Sequence, residues 1–186
     1  MTILMIGLVL FFGIHLAPTI PGVKRRFTKR VGDKGYQGIH ALISAVGLGL
    51  IIWGYSEKPL ISLPEWVAPG WAYKAVLPLL WLAVTLQPAA FLKTNIKRFT
   101  RHPMLWGVVI WSAVHLWLNG DHASILLFGS FLLYSLWAMY AANKRGVKKQ
   151  TQKVPLYRDV IVVVAGTVVF VALVHGHKWF AGVALM

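Results

Sequence analysis

The chain has 186 residues, 58% of them hydrophobic, with a mean hydropathy of +0.65 and a formal net charge of +14. A soluble domain of that length seldom looks like this. Its 19 Lys and Arg against five acids lie in short segments between apolar runs, so the positive-inside rule accounts for the charge without a nucleic-acid partner.

There is no cysteine, which excludes disulfides, thiolate-ligated haem, iron–sulfur clusters and covalent c-type haem attachment. A bound metal has to use His, carboxylate, Met or backbone oxygen. The opening MTILMIGLVLFFGIHLAP has its basic cluster after the apolar run and no A-x-A cleavage site, and reads as a retained first span.

A membrane-crossing helix needs about 20 mainly apolar residues. In chain order, the runs that qualify are Thr2 to Thr19, Gln37 to Gly54, Tyr73 to Leu92, Met104 to Leu118, Ala123 to Ala142 and Val160 to His175, the fourth being short. The expected fold is all-α: a polytopic integral membrane helical bundle of about six transmembrane helices, forming one domain over residues 1–186. Sixteen of the 19 basic residues fall in the first, third and fifth connections, and only Lys58, Lys74 and Lys178 in the others. That asymmetry places the odd connections in the cytoplasm and both termini outside. The connection Glu57 to Ala72, with Pro59, Pro64, Pro69, Trp66 and Trp71, is expected to lie along the headgroups as a lid or anchor.

Ionisable residues inside a span cost several kcal/mol by rough estimate, so each calls for a reason. No Asp or Glu lies centrally in any span, which weighs against a carboxylate proton relay or a di-iron carboxylate site. Histidine is the exception. His15 lies near the end of the first span and His115 deep in the fourth, while His40 sits about one turn inside the second and His102, His122, His175 and His177 belong to span ends. Two readings of His115 stand open: an imidazole bonded to a neighbouring carbonyl or hydroxyl, or a ligand of a metal or haem. Trp111, Ser112 and Asn119 share its helix face at spacings of four, three and four, and would shape a pocket or hold the ring. His15, read alone, is structural; as a second in-membrane histidine it makes a bis-histidine haem conceivable. Arg101 and His102 stand at the mouth of the fourth span, in contact with headgroups or as a polar gate. The sequence NGDH, Asn119 to His122, reads as a tight turn with Asp121 as its acid.

The stretch RHPMLWGVVIWSAVHLWLNGD, Arg101 to Asp121, resembles the signature of the NnrU family. So does FFGIHLAPTIPGVKRRFTKRVGDKGYQGIHALIS, with its opening span, basic loop and G-x-x-G-Y-x-G turn. This bacterial membrane family is named from denitrification gene clusters and is related to the plant and cyanobacterial 15-cis-zeta-carotene isomerase. The resemblance implies a haem b protein of the bacterial inner membrane, its iron held by His15 and His115; Arg101 and His102 at the span mouth and Ser112 and Asn119 on the His115 face are then the further candidates for cofactor contact. It also implies a link to nitrogen-oxide metabolism. Where the plant branch carries a cysteine three residues before the second histidine, this chain has Ser112.

Three alternatives follow. One is haem-dependent cis–trans isomerisation of a carotenoid or other lipid-soluble polyene entering from membrane lipid. Another is an interaction factor for a respiratory membrane complex. The third is a membrane methyltransferase, because R-H-P at a span start also resembles the isoprenylcysteine methyltransferase-like enzymes; their acidic pair is missing from the basic loop NKRGVKKQTQKVPLYRD.

Overall fold

The computed structural model describes residues 1–57 and 64–182. Among them the only regular structure is helical: α1 (Thr2–Leu16), α2 (Val23–Ser56), α3 (Tyr73–Phe91), the single turn α4 (Ile96–Phe99), α5 (Pro103–Leu118), α6 (His122–Lys144) and α7 (Tyr157–Ala181). Five helical segments are long and apolar enough to cross a membrane, and α5, with 16 residues, is the shorter sixth. The chain divides into two compact units, residues 1–62 and 63–186.

The first unit is a helical hairpin. Pro18 and Pro21 lack the amide N–H that a continuing helix needs, so α1 gives way to a 3-10 turn at Ala17–Thr19. Gly22, at φ 82°, then lets the chain reverse into α2. Inside α2, Gly32 has φ 73° and ψ 168°, which divides a basic outer segment, residues 23–31, from the apolar remainder. Glycines set how closely the two helices pack. A Cβ on Gly47 would stand 2.8 Å from the backbone N of Phe11, and one on Gly7 would stand 2.7 Å from that of Ile51. Gly54 meets the backbone of Leu4 in the same way. With no side chain between them the backbones touch, which is how membrane helices gain packing energy where no hydrophobic drive separates protein from lipid.

In the second unit, α3 packs between α5 and α7, and α5 in turn packs against α6. Gly107 of α5 lies on Ala83 and Gln87 of α3, and Gly166 of α7 lies on Thr85. The Trp81 indole donates to Thr167 Oγ1 at 2.9 Å, tying α3 to α7. Val76, Leu80 and Val114 form a core with Ile110, Trp111 and Phe170 around them. Elsewhere apolar side chains face outward: on α7, Val160, Val164 and Val168 are each more than half exposed while Val162 is fully covered. A helix that is apolar on every side but covered on one is suited to lipid on the others.

The described half of the connection before α3 lies on the end of α5. The Glu65 amide donates to Gly120 O at 2.9 Å, and the Glu65 carboxylate stands 3.2 Å from His122 Nε2. The rest of that connection, including Lys58 and Pro59, falls outside the described residues.

Candidate functional site

His115 is half-buried near the C-terminal end of α5. Its Nδ1–H donates to the carbonyl of Trp111, one turn back, at 2.8 Å. A carbonyl only accepts, so this bond fixes the proton on Nδ1 and leaves the lone pair of the neutral ring on Nε2. Phe128 of α6 lies 4.6 Å from the imidazole between ring centroids, and the Trp111 indole lies at 5.0 Å. Trp111 in turn meets Phe128 and Phe131 edge-on. The histidine is thus held by one backbone bond and walled by aromatic rings, an arrangement that orients an imidazole without using its basic nitrogen.

The neighbours that share its helix face act differently from one another. Trp111 holds the ring through its main-chain oxygen. Asn119 bonds to the main chain: its amide Nδ2 and its backbone N–H both donate to His115 O, at 2.8 and 2.9 Å, and close the end of α5. Ser112 is fully buried, and its hydroxyl has no hydrogen-bond partner among the described residues.

Trp66 completes the helix end. Its indole N–H reaches Leu116 O at 3.0 Å and Trp117 O at 3.2 Å, two of the carbonyls that every helix leaves without an internal donor. Trp66→Phe keeps an aromatic ring, though a smaller one, and removes the donor, the lost hydrogen bond alone costing about 1 kcal/mol. Peptide-resolved hydrogen exchange is expected to rise over residues 116–120 with α3 unchanged; unaltered exchange there would leave the cap to Asn119 alone.

Arg101 and His102 meet at one acceptor. Arg101 Nη1 and His102 Nε2 each stand 3.0 Å from Asn143 Oδ1, so the start of α5 is tied to the last turn of α6. Pro103 follows at the first helical position, where a missing N–H does no harm. Asp121 caps α6, accepting from Ser124 N at 3.0 Å and from Ser124 Oγ at 2.6 Å.

His15 repeats the arrangement of His115 in the other unit. Its Nδ1–H donates to Phe11 O, again one turn back, at 2.7 Å, and the ring stacks on Phe11 at 4.2 Å. Sequence reading did not foresee its other neighbour, His40 of α2, whose ring lies edge-on at 4.9 Å. His40 is held by Ser44, which donates to His40 O at 2.6 Å, and its ring lies 5.9 Å from Tyr36. The i and i+4 spacing of Tyr36, His40 and Ser44 was available in the sequence; their meeting with α1 was not.

His175 makes the same bond, to Val171 O at 2.8 Å, on an exposed face. The bond alone therefore does not single out a ligand. His15 and His115 differ from His175 in their aromatic surroundings. Among the described residues no three His, Asp or Glu gather as a metal site. A haem requires none, because its macrocycle supplies four nitrogens and the protein only one or two axial ligands.

The family model described as NnrU protein matches residues 3–185. The chain belongs to the NnrU family. No curated protein and no solved structure matches it. The match runs through both units of this NnrU chain, so His15, His115 and the R-H-P start of α5 all lie within the family region.

Proposed function

We propose that this NnrU-family protein is a haem b-binding protein of the bacterial inner membrane, with His15 and His115 as axial ligands and a redox role tied to nitrogen-oxide metabolism. The basic connections then face the cytoplasm and both termini face outward, as the distribution of Lys and Arg favours. The observation that carries the reading is that two in-membrane histidines, unlike His175, combine this backbone bond with aromatic packing: in each, Nδ1 is committed to the carbonyl four residues back and an aromatic ring lies against the imidazole, so that Nε2 would offer its lone pair to a haem iron. The family resemblance of the segments around both histidines supports the same pair. A haem held by two imidazoles supplies reversible one-electron chemistry. The protein's part is to fix each ring's tautomer and orientation, through Phe11 and Trp111, and to keep His115 among aromatic groups.

The test is an absorption spectrum of the purified protein in detergent, oxidised and then reduced, after expression with ample haem. A Soret band is expected. His15→Ala and His115→Ala should each lower haem content or shift the spectrum, while His175→Ala, which removes the same backbone bond from an exposed site, should leave it unchanged. Absence of the band in the unmodified protein would sink the reading.

A further inference from the structure

Beside His15, at the basic end of the α1–α2 hairpin, lies a cleft of about 310 Å³ lined by Pro18, Lys24, Tyr36, Gln37 and His40. Its polar groups are donors or neutral, and no carboxylate lines it. Lys24, in the first turn of α2, holds its ammonium 5.8 Å from the centre of the Tyr36 ring, and no acid among the described residues pairs with it. Tyr36 is more than nine-tenths buried, and its hydroxyl has no hydrogen-bond partner among the described residues. The buried hydroxyl lacks an acceptor, and the exposed ammonium beside it has no acidic partner, so one anionic oxygen in the cleft would serve both.

The cleft is continuous with the candidate ligand. His40 lines it, and the His40 ring meets that of His15 at 4.9 Å. A molecule that uses both places needs an apolar body for the helices, an atom that accepts an imidazole lone pair, and anionic arms for the basic end.

We propose that this cleft receives the carboxylate groups of the haem that His15 ligates, with Lys24 as the counter-charge and Tyr36 as the hydrogen-bond donor. The proposal rests on the haem reading above and adds to it the residues that recognise the cofactor's polar edge. An anionic phospholipid headgroup offers the same oxygen chemistry and is the competing occupant.

The full chain, purified in non-ionic detergent without haem, is titrated with ferric protoporphyrin IX and with its dimethyl ester, which has the same ring and no free carboxylates. The unmodified protein is expected to bind the diacid more tightly than the ester. Lys24→Gln and Tyr36→Phe should each weaken diacid binding about tenfold, roughly 1.4 kcal/mol, and leave ester binding unchanged. Lys24→Arg should restore the affinity, and Arg30→Gln, the same change of charge outside the cleft, should have no effect. Equal affinity of the unmodified protein for diacid and ester overturns this proposal while leaving the haem reading intact. Parallel loss of both ligands in the variants also overturns it, as a fault of folding. Loss of co-purified phosphatidylglycerol in Lys24→Gln with diacid binding unaltered assigns the cleft to lipid and overturns it too. Failure of the unmodified protein to take up either porphyrin defeats the haem reading itself, and this proposal with it.

Discussion

Gly54→Leu is expected to force α1 and α2 apart. A side chain at this position meets the backbone N and Cα of Leu4 and the carbonyl carbon of Ile3, not the flexible end of another side chain. Main-chain atoms inside a helix do not move out of the way singly, so the whole helix has to shift. Overpacking a core commonly costs about 1–3 kcal/mol, and here the obstacle is backbone, so the upper end applies. Gly49 supplies the internal control: it lies on the same helix with nothing within 4 Å of its would-be Cβ. The chain has no cysteine of its own, so spin labels attached to Cys introduced at Val9 and Ile52, both exposed, report only the hairpin. Gly54→Leu should broaden and lengthen the interspin distance, while Gly49→Leu should leave it as it is. An unchanged distance in Gly54→Leu would show that side chains, not backbone proximity, hold the two helices.

Where the helices lie was largely legible, because lipid imposes a length and a composition on any segment that crosses it. The third apolar run, Tyr73 to Leu92, coincides with α3 to within a residue, and the fifth, Ala123 to Ala142, lies inside α6. The second shows the limit of that reading. Its apolar run begins at Gln37, and the helix that carries it starts just after the break at Gly32, with a further basic helical segment from Val23 before the break. Hydropathy marks where a helix can contact lipid, whereas the basic residues 23–31 form a separate helical segment on the other side of the kink at Gly32. Gly32 supplies a break near the expected start, but as a backbone kink that a hydropathy profile does not register. The short fourth run is short in space as well: 16 residues rise roughly 24 Å, less than the hydrocarbon thickness of about 30 Å.

At the candidate site, the identity of the two half-buried imidazoles could be read from the sequence, because histidine among apolar residues is conspicuous. How each is held could be read only in part. The i−4 spacing brought Trp111 to His115, but the contact that fixes the ring comes from the carbonyl and not from the indole N–H. Asn119, on the same face, serves the main chain. The His15–His40 pair joins two helices across a reversal of the chain, and nothing in the residues next to either histidine specifies which residues of α2 face α1. The glycines at 47 and 54 specify it, since their seven-residue interval keeps one face of α2 against α1, and His40, seven residues before Gly47, continues that face.

A polar cluster went unnoticed because its members are distant in sequence and sit in two connections read only for their positive charge. Asp159, the one acid in the first turn of α7, accepts hydrogen bonds from Thr94 Oγ1, from Asn95 N at 2.7 Å and from Asn95 Nδ2 at 2.6 Å. Asn95 also bonds both ways with the backbone of Val154, donating to its carbonyl at 2.8 Å and accepting from its N–H at 3.1 Å. Gln150 adds bonds to Thr94 O and, through its N–H, to Lys97 O. One carboxylate therefore fastens the turn after α3 to the start of α7, and its charge suits the N-terminus of that helix. Asp159→Asn tests this without altering size. The new amide can accept through its oxygen, but its NH₂ meets the donors of Thr94 or Asn95, and the charge is lost. Hydrogen bonds to an ionised group contribute about 1.5–3 kcal/mol, and a buried donor left without an acceptor costs about 1–3 kcal/mol. A loss of roughly 3 kcal/mol follows, visible as a lower thermal midpoint in detergent. Because Thr94 is fully buried, the Thr94→Val, Asp159→Asn double variant removes one stranded hydroxyl and should recover part of the loss. If the single variant melted with the unmodified protein, the cluster would be a consequence of how α3 and α7 pack and not one of its causes.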